Sequence, residues 1–260
     1  MTSRISIPEA EPIIHVGLLT APVIEFELKG KFMLNGATCP TGKYCISVDC
    51  IRNSEQEYLP QSSSSTFVLK NVTIGIGFHW EREEDQEFEG GLILQVEGNK
   101  IRAINSVPLE SYLKSVISSE MSAMNDLNLL NAHAIISRSW LLAQIQNRGK
   151  CRTTTDCHAS AKVSARNDSI QNELVKWYDR EDHDTFDVCA DDHCQRYQGI
   201  TKVISENAKK AIEATRGQVL MYENKICDAR FSKCCGGITE DFENVWQPVK
   251  VPYLVAVRDI

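Results

Sequence analysis

Runs of basic residues are missing from this chain. Its 260 residues hold 28 Lys and Arg against 35 Asp and Glu, a formal net charge of −7. That balance gives a phosphate backbone no charged surface to bind, so a nucleic-acid partner is set aside in favour of an uncharged or mixed-charge ligand. Long apolar runs are missing too, and none approaches the roughly 20 residues of a membrane span. The opening MTSRISIPEAEPIIHVGLLT has no basic start followed by a long apolar run, so no signal peptide is read there. A Gly-rich phosphate loop, a Walker motif and a G-x-S-x-G elbow are all wanting, which removes the commonest nucleotide-binding and serine-hydrolase readings. No internal repeat is seen.

What is there suits a globular protein: 42% hydrophobic and 24% charged residues, with ample material for a core. Cysteine is plentiful, at ten residues. They fall in local groups, Cys39/Cys45/Cys50, Cys151/Cys157, Cys189/Cys194 and Cys227/Cys234/Cys235. Local grouping fits loop-closing disulfides and metal ligands alike. Cys151 and Cys157 read as a disulfide across a polar loop in preference to a second metal site with His158. The two odd groups call for a bridge between them or for free thiols in a reducing compartment.

Along the chain, residues 12–104 read as β-rich, with IIHVGLL, VIEFEL, TFVLKNVTIGIGF and LILQVEGNKIRAI separated by turn residues. QSSSST is a polar loop, and EREEDQEFEGG reads as an acidic surface turn. Residues 106–147 look helical. In VPLESYLKSVISSEM, Ser106 is a candidate cap and Pro108 fits an early helical position. Leu109, Tyr112, Leu113, Val116 and Ile117 form an apolar stripe whose next position is Glu120. A second helix, DLNLLNAHAIISRSWLLAQIQNRG, sets Leu127, Leu130, Ala134, Leu141, Leu142 and Ile145 on its apolar face and ends at Gly149. Arg138 falls on that stripe. Later, Ser205 caps a short helix that Gly217 ends, GQVLMYENKICDARFS reads as a hairpin, and KCCGGITEDFENVW as a glycine-bearing turn.

Glu120 is the first chemical candidate. A carboxyl in apolar surroundings favours its neutral form, which suits a general acid. A helix-end glutamate, or a partner for Arg138, is the plainer alternative. The second candidate is HDTFDVCADDHCQRYQG, where His183, Cys189 and Cys194 supply imidazole and thiolate within twelve residues and His193 is a fourth possibility. Thiolate with imidazole is a zinc ligand set. A Cys189–Cys194 disulfide with surface histidines stands as its alternative. His133 reads as a packed helix histidine.

Taken in order, VPLESYLKSVISSEM, NAHAIISRSWLLAQ, FDVCADDHCQRYQG, AIEATRGQVLMYENKICDARFSKCCGGITEDFENVW and VPYLVAV resemble the SpoIID/LytB domain of bacterial sporulation and amidase-enhancer proteins. The likeness covers roughly residues 100–257, and IIHVGLL looks like the start of the same domain. It implies one α+β domain across 1–260, with a β-rich part at 12–104 and a motif-bearing part at 105–260. Its framework would be mostly antiparallel, with a helical pair carrying the catalytic glutamate. The family's sporulation members are lytic transglycosylases that cleave the MurNAc–GlcNAc β-1,4 bond without water and leave a 1,6-anhydro sugar.

By the same resemblance, the glutamate of the family's S-E-M motif is Glu120, and it acts as acid and then base. Arg138 would hold the substrate or a reaction-state charge, and Gln195 and Tyr197 would contact sugar hydroxyls or N-acetyl groups. His183, Cys189 and Cys194 would bind a structural zinc. The implied partners are peptidoglycan glycan strands, with a cell-wall amidase as a second, and the implied location is extracytoplasmic. A noncatalytic peptidoglycan-binding module that enhances an amidase is the alternative, and a zinc-dependent hydrolase using the Cys/His site a third. Where many relatives have a serine-rich turn, this chain has Ser232, Lys233, Cys234, Cys235, Gly236 and Gly237; there Lys233 is the candidate sugar contact, with a surface lysine as the plainer alternative.

Overall fold

The structure is a computed structural model describing residues 10–51, 54–122, 124–151, 183–201, 205–232 and 234–259, with backbone alone for 147–151. Ten strands come first: β1 (Ile13–Ala21), β2 (Val23–Lys29), β3 (Phe32–Leu34), β4 (Ala37–Cys39), β5 (Gly42–Ser47), β6 (Glu55–Pro60), β7 (Thr66–Ile74), β8 (Arg82–Glu89), β9 (Gly91–Glu97) and β10 (Lys100–Pro108). Helices α1 (Leu109–Glu120) and α2 (Leu127–Cys151) follow. After them come β11 (Val188–Cys189), α3 (Glu206–Ala214), β12 (Met221–Tyr222), β13 (Lys225–Ile226) and α4 (Phe242–Val245). The α+β class and the mostly antiparallel framework hold.

Two compact units emerge, Met1–Ala134 with His183–Gly217, and Ile135–Asp182 with Gln218–Ile260. The first contains a sheet in the order β11-β1-β10-β9-β6-β3-β4 and another in the order β5-β2-β7-β8. Strand periodicity explains the core. In β2, Ile24, Phe26 and Leu28 are buried while Val23, Glu25 and Glu27 are not. β10 lies against β2 and β1 against β7, so the inward residues of both sheets share one interior. The short β11 is parallel to β1, pairing Val16 with Val188 and Gly17 with Cys189.

α1 buries Leu109, Tyr112, Leu113, Val116 and Ile117, the stripe read from the sequence. It packs against α3, whose Ala208, Ala211 and Ile212 are buried. Ser205 caps α3, accepting from the Ala208 amide at 3.1 Å. In the second unit, β12 and β13 form the expected hairpin. Its two turn residues, Glu223 and Asn224, have φ of 46° and 60°, the left-handed pair of a type I′ turn.

Three local expectations are corrected. Ser106 is a strand residue, not a cap: β10 continues to Pro108, Ser106 pairs with His15 and Gly91, and Pro108 is the extended residue before α1. The acidic run is strand β8, not a turn; Glu83, Asp85, Glu87 and Glu89 take the outer face while Gln86 and Phe88 alternate into the core. α2 runs past Gly149 to Cys151, and Leu127 at its start is exposed.

Candidate functional site

α1 ends at Glu120, and Met121 turns the chain into an extended conformation. The apolar stripe is buried through Ile117, and the half-buried Glu120 lies one turn beyond it. Its carboxylate Oε1 accepts the backbone amide of Arg196 at 2.7 Å. The candidate acid is therefore held by a peptide group of a segment 76 residues later.

That segment, 183–201, is fastened along its length. The Asp187 amide donates to the His15 carbonyl at 2.8 Å, and the His15 amide donates back to the Asp187 carboxylate at 2.9 Å. The Ala190 amide reaches the Gly17 carbonyl at 3.0 Å. Gly17 is required here, because a Cβ on it would lie 2.7 Å from the Phe186 ring. Further on, the Gln198 amide donates to Ser115 Oγ of α1 at 3.1 Å, and the Ile200 amide to the Glu87 carbonyl at 2.8 Å. Gly199 adopts φ +57°, and a Cβ there would meet the same Glu87 oxygen at 2.2 Å.

Within the segment, His183, Cys189, His193 and Cys194 bring one ligand atom each to within 4.8 Å of one another. His183 Nε2 lies 3.3 Å from Cys194 Sγ, and His193 Nδ1 lies 3.4 Å from Cys194 Sγ and 3.9 Å from Cys189 Sγ. Zinc bonds of about 2.3 Å to sulfur and about 2.0–2.1 Å to nitrogen place tetrahedral ligands about 3.5–3.8 Å apart. The cluster fits that spacing, and its donor set is Cys₂His₂. The Cys189 thiol is held far below the usual thiol range, by the hydrogen bond from Cys194 first and then those of His183 and His193, against the opposing effect of burial. No disulfide joins Cys189 to Cys194. Cys39, Cys45, Cys50, Cys227, Cys234 and Cys235 also carry free thiols. The expected Cys151–Cys157 bridge, with His158, lies outside the described residues.

Gln195 and Tyr197, expected as sugar contacts, stand in the same segment with their side chains buried. The Tyr197 ring is stacked between Phe88 and Tyr112, and its hydroxyl donates to Asn105 Oδ1 at 2.6 Å. Asn105 in turn donates to the carbonyls of Glu89 and Gly91, both at 2.9 Å. Gln195 is 1% exposed and accepts from the Tyr112 hydroxyl at 3.3 Å. Burial raises both tyrosine hydroxyls well above their ordinary range, so each is a neutral donor. Arg138 belongs to the second unit, is 0% exposed, and donates to the Gln218 carbonyl at 3.0 Å. Lys233 lies outside the described residues.

Arg196 went unremarked in the sequence, since a backbone amide leaves no residue signature. Its side chain is set as firmly as its amide. The guanidinium bonds Asp192 at 2.8 and 3.1 Å through one nitrogen and at 3.2 Å through another, and lies 4.9 Å from the Trp80 ring centre.

Comparison with known proteins adds an independent line. The SpoIID family, described as Stage II sporulation protein, matches residues 97–222. A protein of Brachyspira hyodysenteriae is 26% identical over 171 residues, 66% of this chain and 37% of that protein. The Stage II sporulation protein D of Bacillus amyloliquefaciens is 26% identical over 160 residues, 60% of this chain and 40% of that protein. The amidase enhancer of Bacillus subtilis is 42% identical over 55 residues, 21% of this chain and 8% of that protein. The chain thus spans about two fifths or less of the length of these relatives.

Proposed function

The chain belongs to the SpoIID/LytB family, and from that premise we propose that it is a lytic transglycosylase of peptidoglycan glycan strands, with Glu120 as its acid and base. The observation that carries the reading is the Glu120 carboxylate at the end of α1, which accepts the Arg196 amide at 2.7 Å. A hydrolytic glycosidase works with two carboxylates, one as acid and one as base or nucleophile. One carboxyl suffices when the sugar's own C6 hydroxyl attacks. Glu120 gives its proton to the glycosidic oxygen as the bond to the anomeric carbon breaks. The carboxylate then takes the proton of the C6 hydroxyl as that oxygen closes the 1,6-anhydro ring. No water is consumed, and Glu120 returns to its starting state.

In this reading His183, Cys189, Cys194 and His193 hold a zinc ion. With four protein ligands the site is closed, so the metal supplies structural cross-linking of the segment rather than an open coordination position. Cys194 precedes Arg196 by two residues, so an ordered cluster keeps the amide aimed at Glu120. The substrate assigns the protein to the outer side of the cytoplasmic membrane. Among the described residues no helix is long and apolar enough to cross one.

The test is a digest of purified glycan strands, with and without stem peptides, read by mass spectrometry. Anhydro-muramic ends are expected from the parent protein, with a drop of about 10²–10⁴-fold in Glu120→Gln, the usual contribution of a general acid–base group. Strands left intact by a protein that still binds them would overturn cleavage. That result favours the second reading, a module that stimulates an amidase, which the amidase-enhancer relative makes specific. Activity abolished by chelation but retained in Glu120→Gln would instead support a metallohydrolase.

A further inference from the structure

Between β7 and β8 the chain makes a tight projecting turn, Gly75–Glu81, that the core does not require. The Phe78 amide donates to the Gly75 carbonyl and the Glu81 amide to the Phe78 carbonyl, both at 3.0 Å. Gly75 adopts φ +71°, and a Cβ there would sit 2.2 Å from the Trp80 ring, so only glycine lets the indole fold back onto the turn. Trp80 stacks on Phe78, with centroids 5.4 Å apart and ring planes 15° from parallel. Despite this order, Phe78 is 49% and Ile76 62% exposed. Apolar side chains held rigidly in water mark a binding surface more often than scattered exposed ones do.

The turn is fixed to the candidate site itself. The Ile76 amide donates to Asp191 Oδ2 at 3.3 Å, inside the metal-ligand loop. The Arg196 guanidinium also lies over the Trp80 ring, and the amide of that same residue holds Glu120. Phe78, Trp80, Arg196 and Glu120 therefore form one connected series within a single compact unit.

We infer that the Phe78–Trp80 pair is a stacking platform for an uncharged pyranose ring of the glycan strand, the N-acetylglucosamine unit that carries no lactyl carboxylate, in a subsite flanking the acid. This rests on the glycan substrate proposed above. A pyranose presents a face of C–H groups, slightly positive, which suits the negative face of an aromatic ring, while its hydroxyls stay in water. The surroundings select the occupant. Glu81, Glu83, Glu84 and Asp85, of which Arg82 and Lys70 pair with the last two, leave the surroundings of the turn net negative, which disfavours an anionic lipid surface. A neutral sugar meets no such penalty.

The experiment uses the full chain carrying Glu120→Gln, so that binding is read without cleavage. Chitotetraose and denuded glycan strands are titrated by calorimetry and by tryptophan fluorescence. Phe78→Ala is expected to weaken binding about tenfold, in line with the loss of an aromatic contact, while Phe78→Tyr keeps it. Trp80→Phe removes most of the fluorescence change, although three other tryptophans remain. Thermal midpoints matching the parent show that the variants are folded. Equal affinities in Phe78→Ala and the parent overturn the platform, whatever the digest shows. So does Phe78-dependent sedimentation with phosphatidylglycerol vesicles in place of glycan binding. If anhydro ends never form but glycan binding still falls in Phe78→Ala, cleavage fails and the platform stands.

Discussion

Burial pushes the imidazole of His133 down to about 4 from an ordinary value of 6.5. The folded state therefore keeps His133 neutral across a window in which the unfolded chain takes up a proton. Because the unfolded state binds more protons there, stability rises with pH from about 4 to 6.5, is complete above that window, and is lost on acidification. The difference is on the order of 3 kcal/mol. Melting curves at pH 7.5 and pH 4.5 should show a smaller acid-induced drop for His133→Gln than for the parent. An identical drop would assign the acid sensitivity to other groups. This residue was legible in the sequence as a packed helix histidine. Glu120 was legible too, since its place on an apolar stripe singled it out. Tyr197 and Gln195 were found as motif positions, but a motif does not say which way a side chain points. Stacking between two rings and the bond to Asn105 decide that for Tyr197.

Among the elements, segment 183–201 carries the site although only two of its residues are strand. Its shape comes from amide bonds to β1, α1 and β8 rather than from periodicity, so no hydrophobic pattern announced it. Its cysteines and histidines did. Gly199 tests how tightly this shape is set. Gly199→Ala adds a Cβ against the Glu87 oxygen at a left-handed φ, and should cost about 1–3 kcal/mol. Gly36→Ala is the control: its φ is +81° with nothing within 4 Å, so it bears conformational strain without the collision. Denaturant unfolding should rank Gly199→Ala clearly below Gly36→Ala; parity would mean that the Glu87 contact gives way at little cost. β8 was the misread element. Its density of carboxylates looked like a solvated turn, whereas the alternation of Gln86 and Phe88 with outward glutamates is that of a half-buried strand.

Across the whole molecule, the zinc proposed for the His183, Cys189, His193 and Cys194 cluster would act as a cross-link within the first unit. Protein purified without chelator should contain one zinc per chain by elemental analysis. Chelation, Cys189→Ser or Cys194→Ser should each lower the thermal midpoint by about 5 °C or more, equivalent to roughly 2 kcal/mol. A metal-free protein that melts with its metal-loaded form would remove the structural role. The α+β class and the family could be read from the sequence, because ordered motifs and strand-length apolar runs survive in one dimension. The division into two units could not, because the first is discontinuous along the chain.

That discontinuity bears on how the protein is made. β1 waits for β11, and Glu120 waits for an amide 76 residues downstream, with part of the other unit emerging between them. At about 5–20 residues per second the ribosome takes roughly 4 to 15 s to cover that gap. Throughout it the nascent chain lacks the Arg196 amide that Glu120 accepts, and β1 lacks its β11 neighbour. The bond from the Arg196 amide to Glu120 is completed only by late synthesis, so no fragment that ends before residue 196 can contain it.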